Sequence, residues 1–168
     1  MFTKLRNYFP DTGVIIVIGI FILALPIMVI LALVSAIFPS KADAKFKEEY
    51  ALFLSQHEGD EFFCYTNRKN SVNEIEKYIL PELDDSILII KLVGKNPQTD
   101  LDQRFISYAL HHLKNVGFPN IMKIANSKIH DYSLHNKTYS AISQGQAEQL
   151  PEIVQNGLLT MKSNITKH

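Results

Sequence analysis

The hydrophobic pattern of the chain changes abruptly at residue 39. Residues 13–38 are almost continuously apolar and contain no charged residue. As a helix with a rise of about 1.5 Å per residue, this stretch would be roughly 39 Å long, and the hydrocarbon core of a bilayer is about 30 Å thick. Buried helices of globular domains are rarely apolar on every face. The pattern therefore predicts a single transmembrane helix at residues 13–38, preceded by a short tail at residues 1–12.

Polar and apolar positions follow a helical period directly after this stretch. The apolar stripe runs along one side, through Phe46, Tyr50, Phe53, Leu54 and His57. Lysines and glutamates of both signs occupy the other side, which favours packing on a protein domain over lying along a membrane. The spacing predicts an amphipathic connecting helix at residues 41–58.

Residues 60–163 show short apolar strands alternating with amphipathic helices. Strands are predicted at residues 61–66, 86–93, 120–125 and 128–135, and a further short strand could follow at 138–142. Helices are predicted at residues 71–83, 101–116 and 146–161, the first of them opened by a capping box of Ser71 and Glu74. The order β-α-β-α-β-β-α predicts an α/β domain. The crossover rule makes the first two strands parallel neighbours, and the short Asn126-Ser127 turn makes the last two an antiparallel hairpin.

This order of elements resembles the thioredoxin-like fold. The motif that carries the resemblance is Gly117-Phe118-Pro119, because a proline directly before the third core strand resembles the cis-proline of thioredoxins. The resemblance implies that the Phe118–Pro119 peptide bond is cis and that the Pro119 loop lies beside the loop after the first strand. It covers residues 61–163 in topology.

A second resemblance is carried by the segment FFCYTNRKNSVNEIEKYILPEL and the later segment GFPNIMKIA. Together they are similar to an uncharacterised bacterial family of small α/β proteins. The positions that match this family are Leu80-Pro81-Glu82-Leu83 and Phe118-Pro119. This resemblance supports the fold and implies no biochemical activity.

Charge and composition exclude several classes of function. The chain has 17 basic and 17 acidic residues, and the charges stay balanced beyond residue 40. A nucleic-acid partner is therefore not expected, since such proteins carry a basic surplus. The charged residues on either side of the predicted inner-membrane span do not decide on which side of the membrane the domain lies. These residues are Lys4 and Arg6 before the span, and Lys41, Lys45 and Lys47 after it. Three lysines close to the span favour the cytoplasmic side by a narrow margin.

Candidate chemistry centres first on Cys64, the only cysteine. It falls inside the first predicted strand and has no partner cysteine, which argues against the thiol–disulfide exchange typical of the thioredoxin fold. The six histidines are not spaced for joint metal binding; His111 and His112, for example, are adjacent on a helix. The sequence predicts no catalytic residue, no metal site and no cofactor.

The best candidate for a binding site is the loop between the first strand and the next helix. Free backbone donors at a helix amino terminus favour an anion, and two cations lie in the same loop. The predicted site comprises Asn67, Arg68, Lys69, Asn70, Ser71, Phe118 and Pro119.

These patterns favour a non-catalytic binding or assembly module tethered to the bacterial inner membrane. Its expected partners are the bilayer, through residues 13–38, and either a partner protein or a second copy of the chain. The alternative is a membrane-anchored thiol oxidoreductase or monothiol enzyme that uses Cys64. The sequence leaves the ligand or partner, the oligomeric state and the reactivity of Cys64 open.

Overall fold

The computed structural model of the protein describes residue 18, residues 20–30 and residues 40–166. Residue 18 and residues 20–30 are helical and are called α1 here. Among the residues that the structure describes, no helix is both long and apolar enough to cross a membrane.

This finding overturns the transmembrane helix predicted at residues 13–38. The prediction of a single-pass protein of the inner membrane is wrong on the same ground. Residues 13–17, 19 and 31–38 of the predicted span lie outside the described residues, as does the predicted tail at residues 1–12.

The chain divides into two compact units, with the boundary between Glu48 and Glu49. The second unit, residues 49–168, holds one five-stranded sheet in the order β3-β2-β1-β4-β5. Its strands are β1 (Glu61–Thr66), β2 (Ile87–Val93), β3 (Asn96–Gln98), β4 (Asn120–Ala125) and β5 (Lys128–Ser133).

The helices precede, connect and follow these strands. The longer ones are α2 (Lys41–Gln56), α4 (Gln103–His111), α5 (His135–Ser143) and α6 (Leu150–Thr166). A short α3 (Val72–Glu74) continues as a π-helical turn at Ile75–Ile79 and a 3-10 turn at Leu80–Glu82, and a further 3-10 turn covers Ala147–Gln149. The protein is therefore a mixed α/β structure.

The predicted strand directions are confirmed. β1 and β2 run parallel, with Phe62 beside Leu88, and β4 and β5 form an antiparallel hairpin. β1 also pairs with β4 in the antiparallel sense. The hairpin turn at Asn126 and Ser127 has positive φ at both residues, which suits the right-handed twist of the flanking strands.

Both faces of the central strand are buried. Phe63 and Tyr65 point to one face and belong to the main hydrophobic core, together with Val154 and Leu158 of α6. Strand alternation places Phe62 and Cys64 on the opposite face, where they are buried as well. Burial on both faces explains why β1 reads as an unbroken apolar run in the sequence.

Two elements differ from the prediction in kind. β3 lies where a loop was predicted, because Asn96–Gln98 folds back on Lys91–Val93 as a short edge strand. An edge position tolerates Pro97, which lacks a backbone donor. The strand predicted at residues 138–142 is helical instead. Leu134, Thr138 and Ala141 are buried at helical spacing, so tertiary packing outweighs the β-propensity of Thr138 and Tyr139.

Two helix ends also differ. Ser71 does not cap α3, because its hydroxyl is engaged elsewhere, so the predicted capping box is absent. α4 is shorter than predicted and begins after Asp102, whose carboxylate accepts a hydrogen bond from the Arg104 backbone N–H at 2.9 Å. That carboxylate satisfies one of the free donors at the start of the helix.

Candidate binding surface at the basic end of the sheet

The strand directions gather four loops at one end of the sheet. Cys64 near the end of β1 pairs with Asn120 at the start of β4, and Asn120 pairs with Ser133 at the end of β5. The loops after β1 and β2, the loop before β4 and the segment after β5 therefore meet at this end. The loops at residues 57–60, 83–86 and 126–127 lie at the opposite end.

The two ends differ in charge. The four loops at the first end contain no aspartate or glutamate. This end is called the basic end, and its cations are Arg68, Lys69, Lys95, Lys114 and Lys137. The loops at the opposite end contain no lysine or arginine. That end is called the acidic end, and its carboxylates are Glu58, Asp60, Asp84 and Asp85.

Most cations of the basic end are uncommitted. In the part of the chain that the structure describes, the side chains of Arg68, Lys69, Lys95 and Lys114 make no hydrogen bond or ion pair. Lys137 donates only to the hydroxyl of Tyr132, at 3.3 Å. Uncommitted cations in adjacent loops produce a positive field that attracts an anionic partner.

The structure places the residues of the predicted site close together at this end. Asn67 to Asn70 are exposed, whereas Ser71 is buried. The Ser71 hydroxyl lies 3.0 Å from the hydroxyl of Tyr139 on α5. The ring of Tyr139 contacts the ring of His135, with centroids 4.7 Å apart. Nδ1 of His135 in turn donates to the carbonyl oxygen of Phe118 at 2.8 Å.

Two side chains of this connection, His135 and Tyr139, are not part of the predicted site. The sequence pattern predicts His135 at the end of a strand and Tyr139 in a further strand, whereas both lie on α5. The helical spacing of Leu134, Thr138 and Ala141 is the sequence pattern that could have indicated a helix in this region. A helix there brings residues 135 and 139 onto one side, four positions apart.

The turn before β4 is shaped by Gly117. Its φ is +123°, and a Cβ at this position would lie 2.9 Å from Cβ of His135, so only glycine fits. The following Phe118–Pro119 peptide bond is cis, as predicted. His135 donates a hydrogen bond to the Phe118 carbonyl oxygen and therefore packs directly against this turn.

The loop that leads into the turn is fixed by Asp131 of β5. The Asp131 carboxylate accepts hydrogen bonds from the backbone N–H groups of Lys114 at 3.0 Å and of Asn115 at 2.7 Å. The Asn115 side chain donates to the Asp131 carbonyl oxygen, and the Asn120 side chain donates to the Asn115 carbonyl oxygen, both at 2.8 Å. Val116 follows Asn115 and is 89% exposed. This exposed fraction is larger than that of any other large apolar residue that the structure describes.

A cavity of about 420 Å³ lies at the acidic end. Its wall is mostly polar and includes Asp60, Glu61 and Asp84, and the buried residues Ile87 and Leu158 contribute a small apolar part. Burial alone would raise the pKa of Glu61, but hydrogen bonds from Lys123 at 2.7 Å and Lys162 at 3.0 Å outweigh it and hold that pKa below its usual value. Glu61 therefore keeps its negative charge.

Cys64, the residue of the alternative enzyme hypothesis, is completely buried in the middle of the sheet. Burial raises the pKa of its thiol far above the usual value, because a thiolate there would lose its hydration. That environment is typical of an inert structural cysteine. Over the described residues, no three histidine, cysteine, aspartate or glutamate side chains are grouped to hold a metal ion.

Comparison of this chain with protein-family models, with curated proteins and with solved structures finds no match. The resemblance to the thioredoxin-like fold stays a prediction.

Proposed function

We propose that this protein is a non-catalytic binding module that holds an acidic partner protein against the basic end of its sheet. The observation that carries this proposal is the loop at residues 114–116. Hydrogen bonds to Asp131 fix it, and its exposed Val116 lines one surface together with Lys114 and Lys137. An exposed apolar side chain on an ordered loop beside two cations has the composition of a protein-binding surface, with an apolar centre and a polar rim.

The chemistry of the neighbouring side chains favours binding over catalysis. The Ser71 hydroxyl is buried and lies against a tyrosine hydroxyl, whereas a serine nucleophile needs a base beside it. Cys64 lacks both the exposure and the lowered pKa of a reactive thiol. A protein also fits better than a nucleic acid, because the chain carries no basic surplus.

Fluorescence anisotropy on the full chain tests this proposal. The probe is a labelled glutamate-rich peptide with one central leucine, and the expected result is saturable binding that weakens as salt is raised. The variant Arg68→Glu/Lys69→Glu should weaken binding at least about tenfold. The control Lys77→Glu/Lys128→Glu makes the same change in net charge outside the basic end and should leave the affinity unchanged.

Three results would contradict the proposal. Equal affinity of both double variants would remove the basic end as the binding surface. Binding of a lysine-rich peptide with the same strength would show that charge does not select the partner. Tighter binding of a single-stranded oligonucleotide than of the acidic peptide would assign the surface to nucleic acid instead.

A further inference from the structure

We propose that the acidic partner is a second copy of this chain, and that copies associate head to tail. In this arrangement the loop at residues 114–116 of one copy enters the cavity of about 420 Å³ at the acidic end of the next. The proposal rests on the proposed function, because it uses the same basic end, and it adds the identity of the partner.

Val116 and the cavity can supply one apolar contact. Val116 is 89% exposed, and the backbone of the loop before it is held by hydrogen bonds to Asp131. Ile87 and Leu158 line the cavity and are 8% and 7% exposed, so they offer a small apolar contact within a mostly polar wall. A fixed loop loses little conformational entropy on docking, so burying one apolar side chain can contribute to affinity.

The charges of the two surfaces are also opposite. Lys114 and Lys137 line the same surface as Val116, whereas Asp60 and Asp84 line the cavity. Glu61 adds no net negative charge to the cavity, because Lys123 and Lys162 both pair with it. The opposite charges also steer the two ends together during the encounter.

The loop and the cavity lie at opposite ends of the sheet, as the strand register shows. The two copies therefore use different surfaces, which makes the contact heterologous. Such a contact leaves a free loop and a free cavity on every pair, so association continues into rings or open chains.

A complementation experiment on the full chain tests this inference by sedimentation velocity. Wild-type protein should form species whose average mass grows with concentration and falls at high salt. Val116→Asp removes the apolar contact, and Ser86→Arg/Gln155→Arg fills the cavity with cations from two exposed positions of its wall. Each variant alone should self-associate at least about tenfold more weakly.

The equimolar mixture of the two variants provides the sharpest result. Val116→Asp keeps an intact cavity, and Ser86→Arg/Gln155→Arg keeps an intact loop, so the mixture should form dimers that do not grow further. Leu52→Asp, which places the same charge at another exposed apolar position, is the matched control and should associate as the wild type does. Urea unfolding of each variant checks that the variant is folded.

Several outcomes would overturn the inference. These are a wild-type protein that stays monomeric at every concentration, a wild-type dimer that does not grow, variants that associate normally, or a mixture that stays monomeric. The acidic peptide separates this inference from the proposed function. A monomeric protein that still binds the peptide through Arg68 and Lys69 overturns self-association alone, whereas loss of both overturns both.

Discussion

The two ends of the sheet use their charged side chains differently. At the acidic end the carboxylates take part in the fold: Glu58 accepts hydrogen bonds from the backbone of Asn126 and Ser127, and Asp84 accepts one from the backbone of Ser86. At the basic end Arg68 and Lys69 make no such contact among the described residues. Charge at one end thus stabilises the structure, and charge at the other is available to a partner.

This difference has a chemical basis. A carboxylate is short and only accepts hydrogen bonds, so it suits the free N–H groups of turns. Lysine and arginine are long donors whose ordering costs side-chain entropy. At the basic end, too, the charged group that stabilises a loop is a carboxylate: Asp131 of β5 fixes the loop at residues 114–116.

The largest expected effect is that of Asp131→Ala, which removes both hydrogen bonds from the backbone of Lys114 and Asn115. Hydrogen bonds to a charged acceptor contribute about 1.5–3 kcal/mol each. Because Asp131 is partly exposed, we expect a total loss of about 2–3 kcal/mol, measured by urea unfolding. Asp131→Asn keeps one acceptor oxygen and should lose less. An unchanged unfolding midpoint in Asp131→Ala would show that the loop is not fixed by this residue.

Glu61→Gln tests the structural role of a carboxylate at the other end. Lys123 and Lys162 hold the pKa of Glu61 below its usual value against the opposing effect of burial. The stabilisation is therefore present above the unfolded pKa of about 4.3, and it is lost as pH falls through the lower pKa of the folded state. We expect Glu61→Gln to lower the unfolding free energy by about 1–2 kcal/mol at pH 7.

Urea unfolding of both proteins between pH 2 and pH 7 measures this effect. The difference in unfolding free energy between wild type and Glu61→Gln should shrink at the lowest pH values, because protonated glutamate and glutamine are then alike in charge. Lys162→Gln leaves the Lys123 contact in place and should cost less at pH 7. A difference of the same size at every pH would contradict the proposed ion pairing.

The sequence predicted the parts of this structure that depend on local patterns. The aromatic run of β1, the apolar run of β2 and the Asn126-Ser127 turn correctly indicate strands and a hairpin. The motif Gly117-Phe118-Pro119 correctly indicates the turn before β4. The transmembrane helix predicted at residues 13–38 was wrong: among the described residues, no helix is long and apolar enough to cross a membrane.

The candidate surface could be predicted only in part. Arg68 and Lys69 were identified because loop cations next to a predicted helix are visible in the sequence. Val116 was not, since it falls within the helix predicted at residues 101–116, and α4 ends at His111. Its exposure depends on Asp131, a long-range contact to the backbone of residues 114 and 115 that no local pattern encodes.

The smallest expected effect, and the most direct test of the comparison, is that of Arg68→Glu/Lys69→Glu on stability. Neither side chain has a contact to lose among the described residues, so the unfolding free energy should change by less than about 0.5 kcal/mol. Glu58→Ala at the acidic end should cost about 1–2 kcal/mol, because the backbone N–H groups of Asn126 and Ser127 lose their acceptor. Urea unfolding of both variants in one buffer measures the contrast. Equal losses of unfolding free energy in the two variants would mean that charged side chains stabilise the fold at both ends. Arg68 and Lys69 would then not be cations available to a partner.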